Sequence, residues 1–227
     1  MKIEDIMFLG DAHNPHIDWD VIEWCYYLAN KFKVHRVIQG GDLNDMSNWK
    51  NFPREADLGS AEQEWEAAYA GLDRLHSYFP KMDIIYGNHD SRLFKKLEEA
   101  GLPHKEQKKV IDSLYARKGW TFHNDDVPLI VNNDIMVIHG HEMGGTLVDK
   151  VRVSGMNVVT FHTHKSELVF IRQCNIVRWG ALGGCVIDLK SPAIRYARKN
   201  IPQYMNSVTL VIDNNPIILK YPGKGNW

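Results

Sequence analysis

Short apolar runs recur along the chain, each ending in glycine, aspartate, asparagine or histidine: Ile6 to Leu9, Val37 to Ile38, Ile84 to Tyr86, Ile135 to Ile138 and Val158 to Phe161. Runs of this length bounded by turn formers read as buried strands. Between the first two, Asp18 to Lys33 carries Ile22, Cys25, Tyr26 and Ala29 at helical spacing, which predicts a strand–helix–strand unit. Ser60-Ala61-Glu62-Gln63 has the form of a capping box. Ala61, Trp65, Ala68, Leu72, Leu75 and Phe79 continue the helical period from it as far as Pro80. Two more helices are predicted over Arg92 to Ala100, closed by Gly101, and over Lys105 to Arg117. Beyond Glu167 the apolar stretches Leu168 to Ile171, Ile176 to Trp179, Val208 to Ile212 and Ile217 to Leu219 predict further strands. Alternation of this kind means an α/β fold.

Each of the five early strands runs into a cluster of polar residues. In chain order these are Asp11-Ala12-His13, Gly41-Asp42, Gly87-Asn88-His89-Asp90, His139-Gly140-His141 and His162-Thr163-His164. In open α/β sheets ligands gather beyond the carboxyl ends of the strands, so the clusters are expected to form one site. Side chains at i and i+2 face the same way wherever the backbone stays extended. The D-x-H and H-x-H pairs are therefore expected to grip one ion each. Imidazole mixed with carboxylate and amide oxygen suits Mn²⁺, Fe²⁺, Ni²⁺ or Zn²⁺ better than Ca²⁺ or Mg²⁺, with Mn²⁺ the leading choice. With only Asp11 and Asp42 supplying charge, two divalent ions would keep roughly +2, which favours an anionic substrate such as a phosphate ester.

The ordered series D-A-H, G-G-D-L-N-D, G-N-H-D, H-G-H and H-T-H resembles the calcineurin-like metallophosphoesterase superfamily over about residues 5 to 165. That resemblance implies a two-sheet sandwich flanked by helices and a dinuclear metal centre. By position, Asp11, His13 and His164 would hold the first ion, Asn88, His139 and His162 the second, and Asp42 would bridge them. His89 matches the catalytic histidine of the family, and Asp45 matches the acid that orients it. The implied chemistry is in-line attack by activated water, with the ions about 3.5 to 4 Å apart and His89 as general acid. Arg92 is a candidate phosphate clamp because its planar fork binds two oxygens at once. One position departs from the pattern: Phe161 stands where the last motif usually has glycine, so the backbone near His162 is expected to run differently. A Trp/Phe-rich insertion after G-D and an arginine after G-N-H-D make the chain similar to small phage-encoded and prokaryotic members.

Other residues carry less. His141 is either a neighbour of the site or a ligand, His16 could overhang the cleft, and Asp90 reads as a loop-capping carboxylate. The insertion from Met46 to Arg54 interleaves aromatics with basic residues, suiting either a stacked base with its phosphate or packing on a second subunit. A second basic, aromatic-bearing segment runs from Lys190 to Lys199.

At 227 residues, 44% hydrophobic and 24% charged, the chain has globular composition and is read as one domain over 1–227. Its net charge of −1 argues against strong nonspecific binding to nucleic acid over the whole surface. Cys25, Cys174 and Cys185 are widely spaced and lack a C-x-x-C pattern; each is expected in the core of a cytoplasmic protein. No membrane span or signal-peptide core is read. The resemblance thus points to a phosphoesterase, and small size without a recognisable large cap domain to a phosphodiester substrate, either nucleic acid or a nucleotide derivative. The alternatives are a phosphomonoesterase or nucleotide phosphatase, a noncatalytic scaffold of the same fold, and a nucleic-acid-binding accessory factor.

Overall fold

In a computed structural model describing residues 3–49, 59–192, 194 and 201–227, two sheets stack face to face between helices. Strands β1 (Ile6–Leu9), β2 (Arg36–Gln39), β3 (Met82–Ile85) and β4 (Trp120–His123) run parallel. On the far side of β1 lie antiparallel β10 (Ser207–Ile212) and β11 (Asn215–Lys220). The second sheet has the order β5–β6–β7–β9–β8. Its parallel centre is β6 (Ile135–Ile138), β7 (Asn157–Thr160) and β9 (Ile176–Gly183), flanked by antiparallel β5 (Leu129–Val131) and β8 (Ser166–Gln173).

Helices α1 (Trp19–Lys31) and α2 (Ala61–Tyr78) link β1 to β2 and β2 to β3, while α3 (Asp90–Glu99) and α4 (His104–Tyr115) link β3 to β4. Helix α5 (Leu147–Ser154) links β6 to β7. The predicted capping box of α2 forms: Ser60 Oγ accepts from the Gln63 N–H, and the Gln63 side chain accepts from the Ser60 N–H. A second box, Thr146 with Asp149, opens α5, an element the sequence pattern did not disclose; β4 and β5 went unread as well.

Three apolar layers hold the sheets. Met7, Leu9, Val37 and Ile84 pack against helical residues such as Val21, Cys25, Ala68 and Leu72. Between the sheets, Ile6, Phe8, Ile38, Ile85 and Val211 meet Val137, Val159, Phe161, Trp179 and Ala181. Met136, Ile138 and Val158 pack on Val151 of α5. Strands buried on both faces explain why their sequences are continuous apolar runs rather than alternating ones. Two expectations are corrected. Tyr26 is exposed on α1, where Trp24 and Leu28 complete the buried stripe with Val21, Ile22, Cys25 and Ala29. Cys174 is also exposed, because it lies in the turn between β8 and β9, whereas Cys25 and Cys185 are buried.

Phe161 follows β7 and is 1% exposed. Its ring fills the space that two glycines leave: a Cβ at Gly40 would lie 2.1 Å from the ring and one at Gly183 2.2 Å. The bulk of Phe161 is therefore matched by the absence of a side chain at Gly40 and Gly183. Among the described residues no helix is long and apolar enough to cross a membrane. Phe161→Ala should leave a void in the inter-sheet layer and lower the unfolding free energy by about 3–5 kcal/mol in a urea titration. A loss below about 1 kcal/mol would mean that the layer closes over the gap.

Candidate metal centre

The parallel register fixes where the chemistry collects. Leu9 pairs with Gln39 and Gln39 with Ile84, so the segments carrying Asp11, Asp42 and Asn88 leave adjacent strands at the same end. Ile138 pairs with Thr160 in the second sheet, so His139 and His162 emerge side by side. The segments are then tied together. The amides of Ala12 and His13 donate to the Asp42 carbonyl at 3.1 and 2.9 Å. The His162 amide donates to Asp11 Oδ2 at 3.1 Å, across the two sheets.

The backbone does not stay extended there. His13, Asp42, His162 and His164 have φ of +46, +51, +68 and +57°, all in the left-handed region. Same-side pairing of i and i+2 therefore fails as a rule, and His162 and His164 part company. His164 Nε2 lies 3.0 Å from His13 Nε2 and 3.5 Å from Asp11 Oδ2. His162 instead joins Asp42 and His139 in a group whose candidate ligand atoms all lie within 4.8 Å of one another.

Asp42 lies between the two halves. Its Oδ2 is 3.3 Å from His139 Nε2, 3.8 Å from His13 Nε2 and 3.9 Å from His89 Nε2. It belongs both to the group with His139 and His162 and to one with His13 and His89. Asn88 Oδ1 is 3.1 Å from His139 Nε2. These donors fit divalent metal binding: His13 and His139 each donate through Nδ1, to Asp45 Oδ1 and to the Gly40 carbonyl, both at 2.9 Å. Each ring thereby turns its Nε2 lone pair inward, the outer-sphere arrangement expected of ligating histidines.

His89 is fixed on both nitrogens. Nδ1 donates to Asp45 Oδ1 at 2.9 Å, and Nε2 accepts from Arg92 Nη2 at 2.9 Å. Arg92 Nη1 donates to the Asp45 carbonyl at 2.8 Å. One carboxylate oxygen thus holds both His13 and His89, a double role that the motif spacing left unread. Asp90 is the loop tie expected of it, accepting from the amides of Leu43, Asn44 and Gly87 and from the Tyr115 hydroxyl. His141 stands beside the group without entering it, its ring 5.4 Å from that of His139 and its Nε2 3.0 Å from Glu142. His16 is partly buried and close enough to Asp45 and His13 to feel their charges.

Sequence reasoning missed Tyr204, whose ring meets that of His164 edge-on at 4.6 Å, and also Ser47 and Glu64. Glu64 had a readable signal, because a charged residue occupies the i−4 position of Ala68 on the buried side of α2. Residues 50–54 of the aromatic insertion, and 193 and 195–199 of the second basic segment, lie outside the described residues.

Burial and mutual charge set the protonation. Burial raises Asp11 to about 7 against the pull of His139. Burial would lower His139, yet Asp42, Asp11 and the Gly40 carbonyl outweigh it and lift the imidazole to about 10. His162 goes the other way, to about 4, because burial and the positive charge of His139 act together. Burial and His13 likewise hold His164 well below the usual histidine range. Burial opposes ionisation of Asp42 and Asp45, but the imidazoles beside them keep both well below the usual carboxylate range.

No family model and no curated protein sequence matches the chain. Among solved structures, the phosphoesterase Yfce from E. coli aligns over 92% of this chain and 88% of its own at 16% identity, with a TM-score of 0.50. An archaeal phosphodiesterase aligns over 95% of this chain and 99% of its own, at 16% identity and a TM-score of 0.46. The nuclease MPE of Pseudomonas putida covers 94% and 87%, at 14% identity and 0.34. The chain shares its fold with that E. coli phosphoesterase, the helix-flanked two-sheet sandwich anticipated from the motifs.

Metal ligands must shed their protons, and below about 7 both Asp11 and His139 hold one. Mn²⁺ affinity is therefore expected to rise with pH between 6 and 8, roughly tenfold per unit for each proton displaced. Titration calorimetry in buffers of different ionisation enthalpy should register the release. Affinity that stays flat across that range would contradict this assignment of ligands.

Proposed function

We propose that the chain is a metal-dependent phosphoric ester hydrolase, and that its substrate is a phosphodiester, either nucleic acid or a nucleotide derivative. The observation that carries this reading is Asp42, a buried carboxylate common to two adjoining groups, one with His13 and His89 and one with His139 and His162, with Arg92 at the edge of the first. Asp11, His13 and His164 would hold one ion, Asn88, His139 and His162 the other, and Asp42 both. When bound, the two ions would supply positive charge that polarises the phosphoryl group and activates water. Mn²⁺ is the ion favoured by the imidazole, carboxylate and amide donors. The E. coli neighbour is named a phosphoesterase, which agrees with the coarser reading of a phosphoric ester hydrolase.

The residues around the ions have separable tasks. Asp45 takes the Nδ1 hydrogen of His89, leaving Nε2 as the atom that carries a proton to the leaving oxygen. Burial lowers the His89 pKa, but Asp42 and Asp45 outweigh it and raise it, so once Arg92 leaves Nε2 the ring takes up a proton there more readily than a free imidazole. Arg92 contacts Nε2 in the absence of substrate. An arriving phosphate offers the guanidinium a better, bidentate acceptor, which would free Nε2 at the moment the leaving group is in place. The sequence motifs disclose no large cap domain, and a site without one would tolerate a substituent on both sides of phosphorus, hence the diester.

The test compares Mn²⁺-dependent turnover of bis-p-nitrophenyl phosphate and p-nitrophenyl phosphate. Diester preference is expected. His89→Ala should cut turnover by about 10²-fold or more with both metals retained; Asp42→Asn should lower metal content. Monoester preference would redirect the reading to a nucleotide phosphatase, and failure to bind any divalent metal near neutral pH would favour a scaffold. Loss of metal in His89→Ala would make that histidine a ligand instead.

A further inference from the structure

The oxygen that aligns His13 and His89 needs support of its own. Asp45 Oδ1 accepts from both imidazoles at 2.9 Å, and small rotations of the carboxylate would lengthen one contact or the other. Its second oxygen, Oδ2, accepts from the Ser47 hydroxyl. Ser47 is brought there by a sharp turn at Met46, which is buried with φ of +50°. The turn is held from outside the motif region. Glu64 of α2, 6% exposed, accepts from the Ser47 amide at 2.6 Å and from the Asn48 amide at 2.9 Å. A buried carboxylate is costly unless its oxygens are satisfied, and these two donors satisfy both. Burial nevertheless raises the Glu64 pKa. Trp49 and Trp65, one on each side of this junction, pack with ring centres 6.1 Å apart.

We propose that Ser47 and Glu64 are positioning residues: Glu64 seats the Ser47 turn, Ser47 fixes the Asp45 carboxylate, and Asp45 then sets the orientation of His13 and His89 together. The proposal rests on the reading of His13 as a metal ligand and His89 as the acid. Its distinctive content is that one hydroxyl two residues from Asp45 governs two properties at once, metal affinity in the half containing His13 and turnover. Metal affinity in the half containing His139 and His162 should not respond, because the Nδ1 of His139 is held by the Gly40 carbonyl instead. A turn that merely capped the loop would affect overall stability without this asymmetry.

Ser47→Ala and Ser47→Thr form the decisive pair, with Glu64→Gln as the second step of the chain. Mn²⁺ binding is measured by calorimetry and by paramagnetic resonance, and turnover of bis-p-nitrophenyl phosphate is followed in parallel. Ser47→Ala is expected to weaken the tighter or the weaker of two Mn²⁺ affinities, but only one of them, by roughly tenfold, the effect usual for outer-sphere partners of ligating histidines. It should also lower kcat with KM little changed, and Ser47→Thr, which keeps the hydroxyl, should restore both. Glu64→Gln, left with one acceptor oxygen for two amides, should reproduce the Ser47→Ala pattern in weaker form. If wild-type protein binds two Mn²⁺ and Ser47→Ala binds them with unchanged affinities, or if Ser47→Thr fails to rescue, the positioning role is wrong while the metal centre stands. If wild-type protein itself binds no Mn²⁺, the reading of the centre has failed first, and the proposal falls with it.

Discussion

Three carboxylates, Asp11, Asp42 and Asp45, lie almost wholly out of water at one end of the sandwich. Burying such groups is tolerated only when hydrogen bonds and opposite charge replace the lost hydration. Here the replacement is a ring of imidazoles and backbone amides. The consequence is mutual distortion: His139 is held protonated, Asp11 resists ionisation, and His162 and His164 are pushed toward the neutral form. A cluster in which neighbouring groups compete for protons is poised to exchange them for cations, since neutral imidazole and carboxylate are the ligating forms.

The sandwich exists in a form that delivers those groups. Parallel strands in each sheet end at the same edge, and the apolar layer between the sheets brings the two edges together so that Asp11 can accept the His162 amide. Phe161 is part of that layer, and its bulk is compensated by Gly40 and Gly183 on either side. Packing and site geometry are thus one problem here, because the residue after the phenylalanine is a candidate ligand. Asp90 performs the analogous service on the other sheet, drawing the loops after β2 and β3 together through three amides and the Tyr115 hydroxyl.

Shared acceptors organise the polar half of the site. Asp45 serves His13 and His89 through one oxygen, and Asp42 faces imidazoles from three segments. Sharing makes the arrangement economical in residues and sensitive to small displacements, which is why support reaches outward as far as α2. Arg92 lies at the boundary between structure and chemistry, its fork occupied by the Asp45 carbonyl and His89 Nε2.

The sequence by itself determined most strands and most helices, since apolar runs, helical periodicity and the Ser60 capping box are local signals that local physics obeys. It also determined which residue types stand at strand ends, and hence the set of ten candidate side chains. It misplaced Tyr26 and Cys174, and it passed over β4, β5 and α5, short elements whose formation depends on neighbouring strands more than on their own pattern. The resemblance divided the candidates between two ions, and the tertiary structure supplied the contacts that set them side by side or apart. His162 and His164, two residues apart and on one side of an extended strand by simple spacing, separate because the backbone turns left-handed at both. Ser47 and Glu64, 17 residues apart, meet because α2 folds back across the loop. Which groups share an oxygen, and which lone pairs face one another, depend on close packing between segments far apart in the chain, and no periodicity encodes that.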